Sequence, residues 1–172
     1  MAADGSVLME SSQPISVVKP SHSSQAPTAY GNSISTPAST QKIIDLKKSY
    51  SIIVNMQLPK TSFKPTEPIF PCITINNGWK ASLKYVHFNI VQKIAYNAKP
   101  NGSLHLKTFT KMVDLTGVGL PATQKKIAPG SSFTFSPEYY VPALIPSFEI
   151  PHFLKVDYVA KLTIGHSPNQ IF

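Results

Sequence analysis

The chain has 172 residues and a formal charge of +8, carried by sixteen lysines and no arginine against eight acids. That length fits one domain, and its one cysteine excludes an intrachain disulfide or a cysteine-built zinc site within the chain. No apolar run approaches the ~18 residues a membrane-crossing helix needs. The N-terminus also sets an acid, Asp4, where a secretory leader wants a base, so a cytoplasmic chain is expected.

Residues 1–41 are rich in Ser, Thr, Ala and Pro and show little alternation beyond Ile15-Ser16-Val17-Val18. Such a stretch offers too little apolar surface to offset the entropy of ordering it, which predicts a disordered tail. Ala26-Pro27-Thr28-Ala29-Tyr30 is half of a Pro-Pro-x-Tyr ligand, without its first proline. The texture changes at Lys42. Ile52, Val54, Met56 and Leu58 alternate with Ser51, Ile53, Asn55 and Gln57 and predict a first strand. A proline-rich loop over residues 59–68 leads to a second strand over 69–75, in which Pro71 signals an edge or a bulge. Asn76, Asn77 and Gly78 read as a turn, since Asn and Gly accept positive φ cheaply.

Residues 79–99 form the longest strand-like run, with Val86, Phe88 and Ile90 inward. Gln92 and Lys93 interrupt the apolar set before Ile94 and Tyr96, which predicts a bulge or bend there. Pro100, Asn101 and Gly102 turn the chain into a return strand ending near Val113, and residues 115–121 read as a glycine-containing loop. Ala128-Pro129-Gly130-Ser131-Ser132 is a tight turn before Phe133, Thr134 and Phe135. Residues 139–164 then close the chain. Pro142, Pro146 and Pro151 forbid regular structure in the first part of this stretch. Beyond them Val156, Tyr158, Ala160, Leu162 and Ile164 alternate with Lys155, Asp157, Val159, Lys161 and Thr163. No amphipathic helix is present to cover that apolar face, so its cover is a second sheet. The expectation is an all-β, immunoglobulin-like β-sandwich over residues 42–172.

Four motifs in this order resemble the C-terminal arrestin domain of the arrestin domain-containing (α-arrestin) family. They are Leu58-Pro59-Lys60-Thr61 with the loop through Pro68; Ile90-Val91-Gln92-Lys93-Ile94-Ala95-Tyr96, similar to that family's Leu-Val-Gln-Lys-Val-Thr-Tyr strand; Ala128-Pro129-Gly130-Ser131-Ser132; and the proline-rich crossing followed by Val156-Asp157-Tyr158-Val159. Together they span residues 50–164. Thr66 stands where the family has glycine, no companion sandwich precedes residue 50, and the domain is expected to lack a terminal strand at its C-terminal end. The resemblance implies a non-catalytic cytosolic adaptor that binds the cytoplasmic tails of membrane proteins and links them to endocytic sorting, transport or ubiquitination. It also implies a location at the plasma membrane or endosomes and contact with ubiquitin ligase components, although a complete Pro-Pro-x-Tyr motif is absent from this chain.

Catalytic chemistry has no constellation to rest on. His22, His87, His105, His152 and His166 are dispersed, no carboxylate pair stands at an acid–base spacing, and no phosphate-cradling glycine motif is present. No enzyme activity, metal or cofactor is therefore expected. The basic candidates for a partner or membrane contact are Lys107 and Lys111, which share a strand face because their spacing is even, and the loop pair Lys125 and Lys126. Trp79 is an aromatic candidate for such a contact, although a cap on the end of the sandwich is the preferred reading of it. An alternative reading is a basic module that binds anionic lipid or nucleic acid by charge. Lysine-only chemistry argues against nucleic acid, because it lacks the guanidinium fork that grips two acceptors at once. Binding through an unpaired strand edge is the expected mechanism, and the same edge would allow a strand-edge homodimer.

Overall fold

The computed structural model describes residues 10–17, 37–46, 50–101 and 105–171. Among them every regular element is a strand: β1 (Glu10–Val17), β2 (Ala38–Leu46), β3 (Tyr50–Leu58), β4 (Ser62–Phe63), β5 (Pro68–Ile69), β6 (Cys72–Asn77), β7 (Tyr85–Ala98), β8 (Lys107–Gly119), β9 (Ser132–Phe135), β10 (Tyr139–Tyr140), β11 (Phe148–Ile150), β12 (Leu154–Ser167) and β13 (Gln170–Ile171). The larger sheet runs β4-β1-β12-β7-β8, with β11 and β13 also paired to β12; the smaller runs β2-β3-β6-β9; β5 and β10 form a short ribbon. The all-β sandwich expected from the alternation is the fold observed.

The core lies between the two sheets and is built by period-two side chains. Val156, Tyr158, Ala160, Leu162 and Ile164 of β12, with Val86, Phe88 and Ile90 of β7, are at most 4 % exposed. Ile52, Val54, Met56 and Leu58 of β3 and Ile73 and Ile75 of β6 are buried with them in one cluster. Each such side chain contributes about 1.5–3 kcal/mol relative to exposure, so this strip dominates the stability of the fold.

Five expectations need correction. Residues 10–17 do not belong to a disordered tail: β1 pairs antiparallel with β12 (Glu10↔Thr163 to Ile15↔Tyr158), and Ile15 and Val17 are buried. Two inward apolar side chains suffice there because β12 already supplies a backbone template. Residues 38–41 are likewise strand, paired with Leu58 to Asn55. On its side away from β7, β12 pairs with β1, β11 and β13. The tyrosine motif at residues 26–30, His22, Lys47-Lys48 and Gly102 lie outside the described residues.

The third correction is at Gln92. β7 runs in unbroken register with β12 from Tyr85 to Tyr96, so Gln92 shares the inner face with Ile90 and Ile94. Its amide donates to the Tyr158 hydroxyl at 3.1 Å, and that hydroxyl donates to the Ile145 carbonyl at 2.7 Å. A polar side chain is tolerated inward because it is hydrogen-bonded. The irregularity sits instead on the partner strand. Asn89 pairs with Gly117 but Val91 with Asp114, leaving Leu115 and Thr116 opposite Ile90.

Fourth, residues 115–119 are strand, not loop. A Cβ at Gly117 would lie 2.3 Å from His87 Nε2 and 2.5 Å from the Phe88 carbonyl, so glycine is needed for close approach across the pair. Fifth, Pro71 marks a change of sheet. β5 pairs with β10 and β6 with β3, and Cys72 just beyond the break is exposed, where an apolar strand implied a buried thiol. The proline-rich crossing is fastened at intervals: Thr66 N donates to Val141 O at 2.8 Å, and Ser147 N to Val17 O at 2.9 Å.

Candidate functional site

β7 and β8 form a hairpin whose two halves have different surroundings. Beside the smaller sheet the inner face is buried. Beyond Gln92 the larger sheet outruns the smaller one and its cover thins while its alternation goes on: Val156 is still buried and Ile94 and Leu154 still pack on the core, but Tyr96, Phe109 and Ile150 lie exposed. Ile150 of β11, Leu154 of β12, Tyr96 of β7 and Phe109 of β8 fall in one cross-strand row; Phe148, Val156, Ile94 and Lys111 form the next. The Tyr96 and Phe109 rings stack at 5.5 Å between centroids. Exposure in this region is high for apolar side chains: Phe153 71 %, Leu106 62 %, Ile150 51 %, Tyr96 41 % and Phe109 37 %. Scattered exposed apolar residues are normal, but a contiguous patch of this kind marks an interaction surface.

The end is held together by one asparagine. The Asn97 backbone N–H donates to Phe153 O at 3.0 Å, its amide donates to His152 O at 2.8 Å, and Thr108 Oγ1 donates to Asn97 Oδ1 at 2.7 Å. These bonds tie the hairpin to the turn between β11 and β12 around a 160 Å³ cleft lined in part by Tyr96, Thr108, Ile150 and Phe153. His152 in that turn has φ of 62°, the left-handed region. Lys155 pairs with Asp157 at 3.3 Å and with Glu149 at 3.6 Å.

The basic candidates separate. Lys107 lies opposite Ala98 and Lys111 opposite Ile94, both on the overhanging half. Lys125 and Lys126 precede Ile127, which bridges to Leu83 at the other end of the hairpin. Ile94 is eleven residues beyond Leu83 along extended chain, roughly 36 Å. The four lysines do not form one cluster. Trp79 caps the end of the sandwich that holds Lys125 and Lys126. It is half-buried against the core and meets His166 edge-on at 6.2 Å. Its N–H donates to Asn77 Oδ1 at 3.1 Å, and the buried Asn77 amide reaches the carbonyls of Ala81, Ile127 and Ala128. Asn77 thus ties loops together and forms no positive-φ turn. Gly78 is required because a Cβ there would lie 2.4 Å from Ser51 O.

A polar group occupies the outer face of the same hairpin. Asp114 accepts from the Asn89 amide at 3.1 Å and from Lys161 Nζ at 3.2 Å. The Asn89 bond, opposed by partial burial and aided by Lys161, holds the Asp114 carboxyl below its ordinary range. Burial lowers the pKa of His87, which stacks on Tyr85; Asp114 opposes that shift and Lys161 adds to it. The group fastens the bulged part of β8 to β7 and β12. Among the described residues no cluster of three or more His, Cys, Asp or Glu side chains could hold a metal ion. No helix among them is long and apolar enough to cross a membrane.

Fold and surface together define a β-sandwich with an overhanging, basic and apolar end. No family model matches the chain. Over 135 residues it is 41 % identical to Protein ttm-2 of Caenorhabditis elegans, an alignment covering 78 % of this chain and 36 % of that protein. The chain therefore spans little more than a third of that relative's length.

Proposed function

We propose that the chain is an arrestin-like, non-catalytic adaptor module that binds extended cytoplasmic segments of membrane proteins and connects them to sorting or ubiquitination machinery. The observation that carries this reading is β8. Thirteen residues, Lys107–Gly119, pair with β7 along one side, and no strand among the described residues pairs with the other. Such an edge offers a row of backbone donors and acceptors to an incoming strand, with alternate side chains setting selectivity. The arrestin-like motifs fall on the elements that build this arrangement: the loop after β3, strand β7, the turn before β9, and the crossing into β12. The test is amide hydrogen exchange of the full chain with synthetic membrane-protein tail peptides. Slowed exchange within Lys107–Gly119 is expected on binding. Peptides that bind without protecting β8, or a set of tails of which none binds, would overturn the proposal.

A further inference from the structure

We infer that the overhanging end of the larger sheet seats on an anionic membrane surface, with Tyr96, Leu106, Phe109, Ile150 and Phe153 entering the headgroup boundary. This rests on the adaptor reading and adds where the adaptor sits when it grips a tail. Residues 92–113 contain four lysines (Lys93, Lys99, Lys107 and Lys111) and no acid. Counting Lys155 against its partners Glu149 and Asp157, five lysines face two carboxylates, an excess of three positive charges. Glu149 and Asp157 pair with Lys155, and Asp157 also lies across from Lys93, so Lys107 and Lys111 carry the excess positive charge of this end.

Lys111 and Phe109 point to one face of the hairpin and Lys93 and Met112 to the other, as the register requires. A bound polypeptide would cover one face. A bilayer surrounds the end from both, and both faces carry exposed apolar and basic side chains, Met112 included. Lys111 stands two residues behind Phe109 on the same face, about 7 Å back along the strand. Apolar groups that enter ~5–10 Å into the headgroup boundary would thus bring this lysine to the level of the lipid phosphates. Lysine suits the task, since a fluid anionic surface needs point charges and not a bidentate fork. The orientation also serves β8, whose edge starts at the seated end and runs away from the bilayer, the course of a tail leaving the membrane.

The experiment is sedimentation of the full chain with vesicles of phosphatidylcholine alone or with 30 mol % phosphatidylserine added (about a third anionic lipid, enough to set up the surface potential). Binding is expected with the anionic vesicles only. Replacing Lys107 and Lys111 with Gln should weaken it about thirtyfold, taking ~1 kcal/mol per lysine, whereas Lys125→Gln with Lys126→Gln, the same charge change at the other end, should leave it unaltered. Leu106→Ser with Phe153→Ser should also weaken it severalfold at unchanged net charge. Circular dichroism would confirm that these surface variants fold. Equal weakening by both lysine pairs, no effect of the serine pair, or an acidic peptide protecting Tyr96 and Phe109 while vesicles stay unbound would each overturn the inference. Vesicle binding is separable from tail binding: loss of the first with intact protection of β8 sinks this inference alone, and the reverse result sinks the adaptor reading alone.

Discussion

Phe88 and Phe109 lie on the same face of one hairpin, eight rungs of β7 apart by the pairing of Phe109 with Tyr96 and of Phe88 with Val118, yet Phe88 is 1 % exposed and Phe109 37 %. The difference is not in the strands, which alternate alike in both halves. It lies in the length of the opposing sheet. β3 and β6 have nine and six residues, β7 and β12 fourteen each. Where the short strands stop, the inner face becomes surface. An apolar pattern therefore specifies which way a side chain points, while cover is decided by what lies across from it.

The largest test of this contrast is truncation of the two rings. Phe88→Ala should destabilise the fold by about 3–5 kcal/mol, the range for emptying a closed core site. Phe109→Ala should shift stability by well under ~1 kcal/mol, as for surface changes. Urea unfolding of both variants measures the gap, and comparable losses would mean that the end is not open. Next comes Gly117→Ala. Its new Cβ would meet the His87 ring and, less forgivingly, the Phe88 backbone carbonyl, so a loss of roughly 1–3 kcal/mol is expected from overpacking. The same change at Gly130, where φ is +69° and nothing lies within 4 Å of an added Cβ, carries only the left-handed backbone penalty, about 1–2 kcal/mol.

How far the sequence reached follows the same division. Alternation in residues 52–58 and 156–164 located the core strands correctly, because period two is a property of the strand itself. Local chemistry misled where a residue's role depended on a distant partner. Gln92 looked like a break in phase until Tyr158 supplied its hydrogen bond. Gly117 looked like loop until His87 lay beside it, and Ile15 and Val17 looked too sparse to fold until β12 supplied an edge. Of the proposed contact residues, Lys107 and Lys111 lie at the overhang, but their separation from Lys125 and Lys126 needed the strand register. The apolar row of Ile150, Leu154, Tyr96 and Phe109 was missed because it crosses four strands. Its signal was present, in that Ile94 and Tyr96 continue the inner set of β7 past any plausible length of the shorter sheet.

Acid should act on the covered half before it reaches the overhang. His87, against β8, has its pKa lowered chiefly by burial. A histidine depressed in the folded state binds its proton more readily when unfolded. Its contribution is thus present above the unfolded value near 6.5 and is lost as pH falls through the lower folded value. Urea midpoints should decline below about pH 6.5, and His87→Gln should flatten that decline. At lower pH Asp114 and Glu67 follow. Glu67 is pushed up by burial, but the Lys60 ammonium and the Lys64 N–H more than reverse this, leaving it lowered like Asp114. Stability from both is present above the ordinary carboxylate range and is lost as pH falls through their depressed values. Asp114→Asn should remove part of that acid limb, and a limb left unchanged would show that the Asn89–Asp114–Lys161 group does not fasten β8.

The smallest expected effect separates stability from docking most cleanly. Thr66 holds φ at 66°, where a β-branched side chain is strained, and its N–H donates to Val141 O at 2.8 Å. The resemblance to arrestin domains places a glycine at this turn, and the structure shows why one would fit: the backbone adopts the left-handed shape with or without it. Removing the Cβ relieves about 1–2 kcal/mol of strain, while glycine's greater freedom in the unfolded chain returns ~0.5–1 kcal/mol. Thr66→Gly should therefore raise stability by somewhat under about 1 kcal/mol, visible as a higher urea midpoint. Because the turn lies between β4 and β5 and Thr66 is not among the side chains that form the overhang, vesicle binding should not change. A variant that is more stable yet binds less well would mean that the crossing held by Thr66 and Val141 shapes the overhang, and that the two halves of the hairpin are coupled after all.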